Sequence, residues 1–178
     1  MPDQAPIPSA AAGATARRRL YLLFRIAADR YALDAADVIE VLGMRTFKQV
    51  PGTPPWVAGM FDCRGAAVPA IDLSALAGAG AATLVTSTRL ALVRYRPAGA
   101  HEERLLGLIL EQATETAHYD PATFRPVGLE TPQARYLGPV LSDGRGMVQA
   151  VKVADLLPEA VRALLFPAAM ASDEGARA

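Results

Sequence analysis

The chain has 178 residues with 18 basic and 18 acidic side chains, a formal net charge of zero and one cysteine. Neutrality excludes the broad basic footprint of nucleic-acid or membrane-surface binding, and a lone cysteine excludes an internal disulfide or a thiol pair. The length suits one domain, or two small subdomains around a shared core, and such a chain buries roughly 70% of its unfolded surface.

Residues 1–16 are rich in Ala, Pro, Gly and Ser/Thr without periodicity and read as a disordered tail. Arg17, Arg18 and Arg19 follow, as a solvated flank or a docking patch for acidic partners. The start does not read as an export signal, and no run reaches the roughly 18 apolar residues of a membrane span, so the expectation is a cytoplasmic protein that does not insert into a membrane.

The domain itself is expected over residues 17–166. Leu20–Ile26 reads as a strand, with Ala28-Asp29-Arg30 as the turn into Tyr31-Ala32-Leu33. Asp34 is placed to cap one helical turn over Ala35–Val38. Val38–Leu42 matches a strand or a short helix, since five residues do not separate the two periods. Pro51, Gly52, Pro54 and Pro55 end that unit.

Trp56–Leu73 is the most informative stretch. Val57, Gly59, Phe61 and Cys63 alternate with Ala58, Met60, Asp62 and Arg64, a period of two that predicts a strand. Gly65 supplies the positive φ of a hairpin turn. A return strand follows through Val68, and Pro69 predicts a sheet edge or a bulge there. Asp62 and Arg64 fall on one face beside the turn, which predicts an ion pair between them. Cys63 shares the inward face with Phe61.

Asp72 or Ser74 caps a short helix to Ala77, closed by Gly78. Gly78–Ser87 is a loop, and Leu90–Tyr95 and Leu105–Leu110 are strands around the polar loop Pro97–Arg104. Glu111–Tyr119 reads as strand or loop edge, and Asp120–Gln133 as an extended connection. Tyr136–Leu141 and Met147–Val151 flank the turn around Gly144. A terminal helix begins at Pro158 with Val161, Leu164 and Leu165 as its apolar stripe, and 167–178 reads as a second disordered tail. Many short strands with small helices between them predict a mostly β sandwich or barrel.

No catalytic or metal set emerges. His101 and His118 lie apart without helical partners, one cysteine does not complete a zinc site, and there is neither a nucleophile elbow nor a P-loop. Gly78-Ala79-Gly80 follows a helix rather than a strand, and Asp62 with Asp72 is better explained structurally than as an acid–base pair. No cofactor is called for. The remaining profile is a binding module whose apolar patch is supplied by Leu42, Met60 and Val68 and rimmed by charge. The competing reading is a small barrel-scaffold enzyme or ligand-binding sensor, which an isolated pocket with convergent polar groups would favour.

The ordered motifs resemble the CheW-like domain over roughly residues 20–166. Phe24 with Tyr31-Ala32-Leu33, Val38-Ile39-Glu40-Val41, Val50-Pro51, and Pro55-Trp56-Val57-Ala58-Gly59 occur in the family's order. Asp62-Cys63-Arg64-Gly65-Ala66-Ala67-Val68-Pro69-Ala70-Ile71-Asp72-Leu73 is similar to its signature hairpin. Thr88-Arg89-Leu90, Gly107–Glu111 and Met147–Leu157 complete the pattern. The resemblance implies two intertwined SH3-like five-stranded β-barrels with short helices and a C-terminal helix, and no enzyme activity. It also implies a scaffold that joins the regulatory domain of a CheA-type histidine kinase to the cytoplasmic tips of methyl-accepting receptors. The partner-binding residues are then Val38, Glu40, Leu42, Gly59, Met60, Asp62, Arg64, Gly65 and Val68. Asp62 where the family commonly has Asn, together with the Trp56 approach, resembles couplers of Wsp-type surface-sensing systems, whose output is a cyclic di-GMP synthase. Glu111 in place of the common Asp and the 96–104 loop are further departures.

Overall fold

The computed structural model describes residues 18–128 and 131–167. The expected tail at 1–16, and all but the first residue of the one at 167–178, lie outside the described residues. The described residues fold into nine strands: β1 (Arg19–Ile26), β2 (Asp29–Asp34), β3 (Val38–Leu42), β4 (Val57–Cys63), β5 (Ala66–Asp72), β6 (Arg89–Tyr95), β7 (Arg104–Tyr119), β8 (Leu137–Asp143) and β9 (Gly146–Val151). The same residues form two short α-helices, α1 (Leu73–Leu76) between β5 and β6 and α2 (Glu159–Leu165) after β9.

The 16-residue β7 organises the architecture. Its first half, Arg104–Leu110, pairs with β6, and Gly107–Ile109 also pairs in parallel with β5. Its second half pairs antiparallel with β1. The strand passes from one sheet to the other at Glu111–Gln112, where Gln112 has a positive φ of 49°. Leu105–Leu110 and Glu111–Tyr119 are thus one strand, which local periodicity does not reveal because the buried face changes partner along it.

Two five-stranded units result, β3-β6-β7-β5-β4 and β7-β1-β2-β9-β8. Each closes through a bridge outside the named strands. Lys48, downstream of β3, exchanges two backbone hydrogen bonds of 2.8 Å with Met60 of β4. Arg125, beyond β7, does the same with Val140 of β8 at 2.7 and 2.9 Å. Closure removes the exposed edges that would invite strand addition.

Three apolar clusters follow from the alternation of side chains. Leu22, Phe24 and Ile26 of β1 and Ala91, Val93 and Tyr95 of β6 point into a core shared between the barrels. Their neighbours Tyr21 and Leu23 fill one barrel, and Leu90 and Leu92 fill the other. Strands between two cores are buried on both faces, so they read as continuous apolar runs rather than clean alternations.

Several local expectations change. The β1–β2 turn falls at Ala27-Ala28, with Ala27 at φ 52°, one residue ahead of the predicted position. Asp34 caps no helix; its Oδ1 accepts from the Ala36 amide at 2.9 Å in a turn that leads directly into β3, so Val38–Leu42 is a strand. β5 is not an edge strand, because β7 pairs with it over Ala70–Asp72. Pro69 is tolerated because Met60, the residue opposite it, directs both backbone groups to Lys48. The bulge lies on β4, between Val57 and Gly59. Asp72 is the α1 cap, accepting from Ala75 N at 3.1 Å. In α2, Val161 and Leu165 are buried, whereas Leu164 is 55% exposed. The helix, about two turns long, lays Val161 and Leu165 on the shared core and leaves Leu164 turned to solvent.

One partly buried polar network braces the second barrel. Arg30 donates to both carboxylate oxygens of Asp143, at 2.7 and 2.9 Å, and Tyr119 Oη donates to Oδ2 at 2.7 Å. The Arg145 amide adds a bond of 2.8 Å. The Arg30 hydrogen bonds, with those from Tyr119 and the Arg145 amide, hold Asp143 well below the usual carboxylate range despite its burial. A lowered folded pKa means that the unfolded chain takes up the proton first. The stabilisation is therefore complete above the unfolded pKa of about 3.9 and is lost as pH falls below it. Asp143→Asn is expected to cost about 2 kcal/mol at neutral pH. It should also flatten the fall of the melting temperature between about pH 5 and pH 3. Parallel acid profiles for the two proteins would refute this role.

Candidate functional site

Positive φ at two successive residues makes the β4–β5 hairpin distinctive. Arg64 (φ 56°) and Gly65 (φ 85°) are the central pair of a two-residue turn of the type that matches strand twist. Glycine takes that conformation without strain, but arginine pays about 1–2 kcal/mol for it. Strained non-glycine residues of this kind gather at functional positions.

The turn also redirects the arginine. Strand alternation ends at Cys63, so Arg64 does not pair with Asp62 as the alternation predicts. Its Nη2 instead donates to Oε2 of Glu40 on β3 at 2.7 Å, joining residues 24 positions apart. Asp62 turns inward to the loop and accepts from the Gly65 amide at 3.3 Å. The Arg64 side chain is 76% exposed and that of Glu40 36%, so most of the guanidinium's donors face solvent.

The remaining predicted site residues divide by burial. Asp62 and Gly65 are exposed and Met60 is half-buried. Val68 is 2% exposed and packs inside the first barrel with Phe61, so it cannot belong to a surface patch. Leu42 is half-buried against that same cluster, and Val38 against the shared core. Gly59 is buried. A β-carbon there would lie 2.4 Å from the Lys48 carbonyl oxygen, so its function is close backbone approach. The apolar groups that do reach solvent beside Glu40 are Ile39 (38%) and Val41 (42%), on the opposite parity of β3. Choosing strand over helix for Val38–Leu42 would have singled them out, because alternation then places them away from Val38 and Leu42.

Two other predicted polar positions are structural. Asp72 also accepts from the Ala82 amide at 2.8 Å. Glu111 accepts from Ser74 Oγ at 3.3 Å and from the Thr83 amide at 2.8 Å, so this pair of carboxylates pins the 78–88 loop. Among the described residues no group of three or more His, Cys, Asp or Glu is arranged to hold a metal ion. Among the same residues, no helix is long and apolar enough to cross a membrane.

Cys63 is half-buried and packs against the Phe61 cluster, as its strand parity predicts. A thiol reagent is expected to modify it at least about tenfold more slowly in the native protein than in denaturant. Equal rates would place the sulfur on the surface.

Two five-stranded barrels that share β7, with an ion pair reaching the β4–β5 hairpin, define a two-barrel β fold. The chain belongs to the CheW-like domain family, whose model matches residues 20–161. Curated relatives include the chemotaxis protein CheW of Helicobacter pylori, 27% identical over 60% of this chain, and the protein PilI of Pseudomonas aeruginosa, 28% identical over 57%. The alignments span 61% and 53% of those two proteins. The scaffolding protein TtCheW of Thermoanaerobacter tengcongensis has a similar fold, with a TM-score of 0.68 at 24% identity over 79% of this chain and 88% of that one. The CheW-like domain is a non-enzymatic scaffold module of chemotaxis-type signalling.

Proposed function

We propose that this chain couples the cytoplasmic tips of methyl-accepting receptors to the regulatory domain of a CheA-type histidine kinase, working at receptor arrays on the cytoplasmic side of the membrane. The observation that supports this most is the family match over residues 20–161, with the Glu40–Arg64 pair open to solvent inside it. An arginine whose donors are mostly unused can meet a partner carboxylate in a charge-assisted bond. The proposed work is recognition alone, without a cofactor, nucleic acid or chemical step. The same coupling serves a flagellar output or a Wsp-type cyclic di-GMP output, because the receptor and kinase set the output.

Reconstitution tests the proposal. Purified protein is expected to bind a CheA-type regulatory domain and to change kinase activity only when receptor is present. Nucleotide turnover by the protein without a kinase, or failure to bind either partner, would overturn it.

A further inference from the structure

The 78–88 loop joins α1 to β6 across the Asp72–Glu111 end of the first barrel. It covers that end with almost no apolar attachment. Its sequence, Gly78-Ala79-Gly80-Ala81-Ala82-Thr83-Leu84-Val85-Thr86-Ser87-Thr88, carries no charge. The two largest side chains point away from the barrel, with Leu84 66% and Val85 51% exposed. Ala82 is its one buried apolar side chain, in the core cluster that also holds Ala70, Leu90 and Ile109.

Polar bonds hold the loop instead. The Ala82 amide donates to Asp72 Oδ2 at 2.8 Å, and the next amide, Thr83, donates to Glu111 Oε1 at 2.8 Å. Farther along, the Ser87 carbonyl accepts from the Ala113 amide at 3.1 Å. Ala113 lies where the β1–β7 register shifts, just past Gln112 with its positive φ, so its amide turns to the loop. Inside the loop, Thr88 Oγ1 donates to the Thr83 carbonyl and accepts from the Val85 amide, which ties the two ends of the segment to each other. Arg89 binds the Thr86 and Thr88 carbonyls at the loop's own root.

A segment with few buried apolar contacts opens at lower free energy than the core beneath it. Water replaces amide–carboxylate bonds at small net cost, whereas the strands behind the loop are held by packed apolar clusters. We propose that the 78–88 loop is a lid on the first barrel, latched jointly by Asp72 and Glu111, which lifts Ala82 out of the core as one unit without unfolding either barrel. The latch is joint because its two carboxylates hold successive amides and the internal Thr88 bonds carry the rest of the loop with them.

Amide hydrogen exchange on the full chain, corrected for intrinsic rates, tests the lid. The Ala82, Thr83 and Ala113 amides are expected to open with constants within about threefold of one another, at least about 100-fold more readily than the most protected amides of β6 and β7. Low denaturant should accelerate those most protected amides and leave the three lid amides unchanged, since a lifted loop exposes little surface. Glu111→Gln is expected to speed all three about tenfold, although only Thr83 is bonded to that side chain. Opening constants more than about tenfold apart, acceleration confined to Thr83, or lid amides that follow the core in denaturant would each overturn the proposal. None of these outcomes bears on coupling to a kinase, because the assay contains the chain alone.

Discussion

Gly59→Ala is expected to lower the stability of the fold by about 3 kcal/mol, the sum of backbone strain and overpacking. Gly59 has φ 127°, in a region closed to residues with a side chain, and its added β-carbon would stand 2.4 Å from the Lys48 oxygen and 2.9 Å from the Lys48 carbonyl carbon. Both obstacles are backbone, so no rotamer change relieves them. Lys48 would have to withdraw from Met60, breaking the two 2.8 Å bonds that close the first barrel. Phe47, packed edge-on against Phe61 at 6.1 Å, would move with it. Gly43→Ala is the control, since Gly43 has no neighbour within 4 Å and no positive φ, and should change stability by less than about 0.5 kcal/mol. Denaturant midpoints for the two variants decide the matter. Equal midpoints would mean that the Lys48 bridge is not needed to close the barrel.

Arg64 variants should separate binding from stability. The Glu40–Arg64 pair is exposed and contributes roughly 0–1 kcal/mol, so Arg64→Ala is expected to leave the melting transition nearly intact. Arg64→Gly should match or exceed the parent, because glycine relieves about 1 kcal/mol of left-handed strain. Both variants are expected to lose about 2 kcal/mol or more of partner affinity, over tenfold, if Arg64 is an interface anchor. Glu40→Ala frees the guanidinium without removing it and should have a smaller effect on binding than either. An arginine kept for stability predicts the reverse order, with binding lost only through unfolding. A stable Arg64→Gly protein that binds receptor and kinase at parental affinity would remove the hairpin from the working surface.

Short-range chemistry determined much of this molecule from the sequence alone. Asp72 caps α1, Gly78 ends it, and Gly65 turns the hairpin, because caps and turns depend on residues a few positions apart. The inward parity of Val57, Phe61 and Cys63 was legible for the same reason: alternation is a property of the strand itself. The motifs around Asp62–Leu73 placed the chain among the CheW-like domains, and with that came the two barrels. Long-range pairing was decided only by the tertiary structure. Arg64 finds Glu40 across 24 residues because the turn takes it out of the strand's alternation. Val68 is buried because a second strand and the 78–88 loop cover its barrel, which the hairpin's own pattern cannot show. β7 reads as two segments until β1 and β6 are seen to pair with its two halves. The stacking of Phe166 on the buried Tyr95 likewise arises only because the chain after α2 returns across the end of β6.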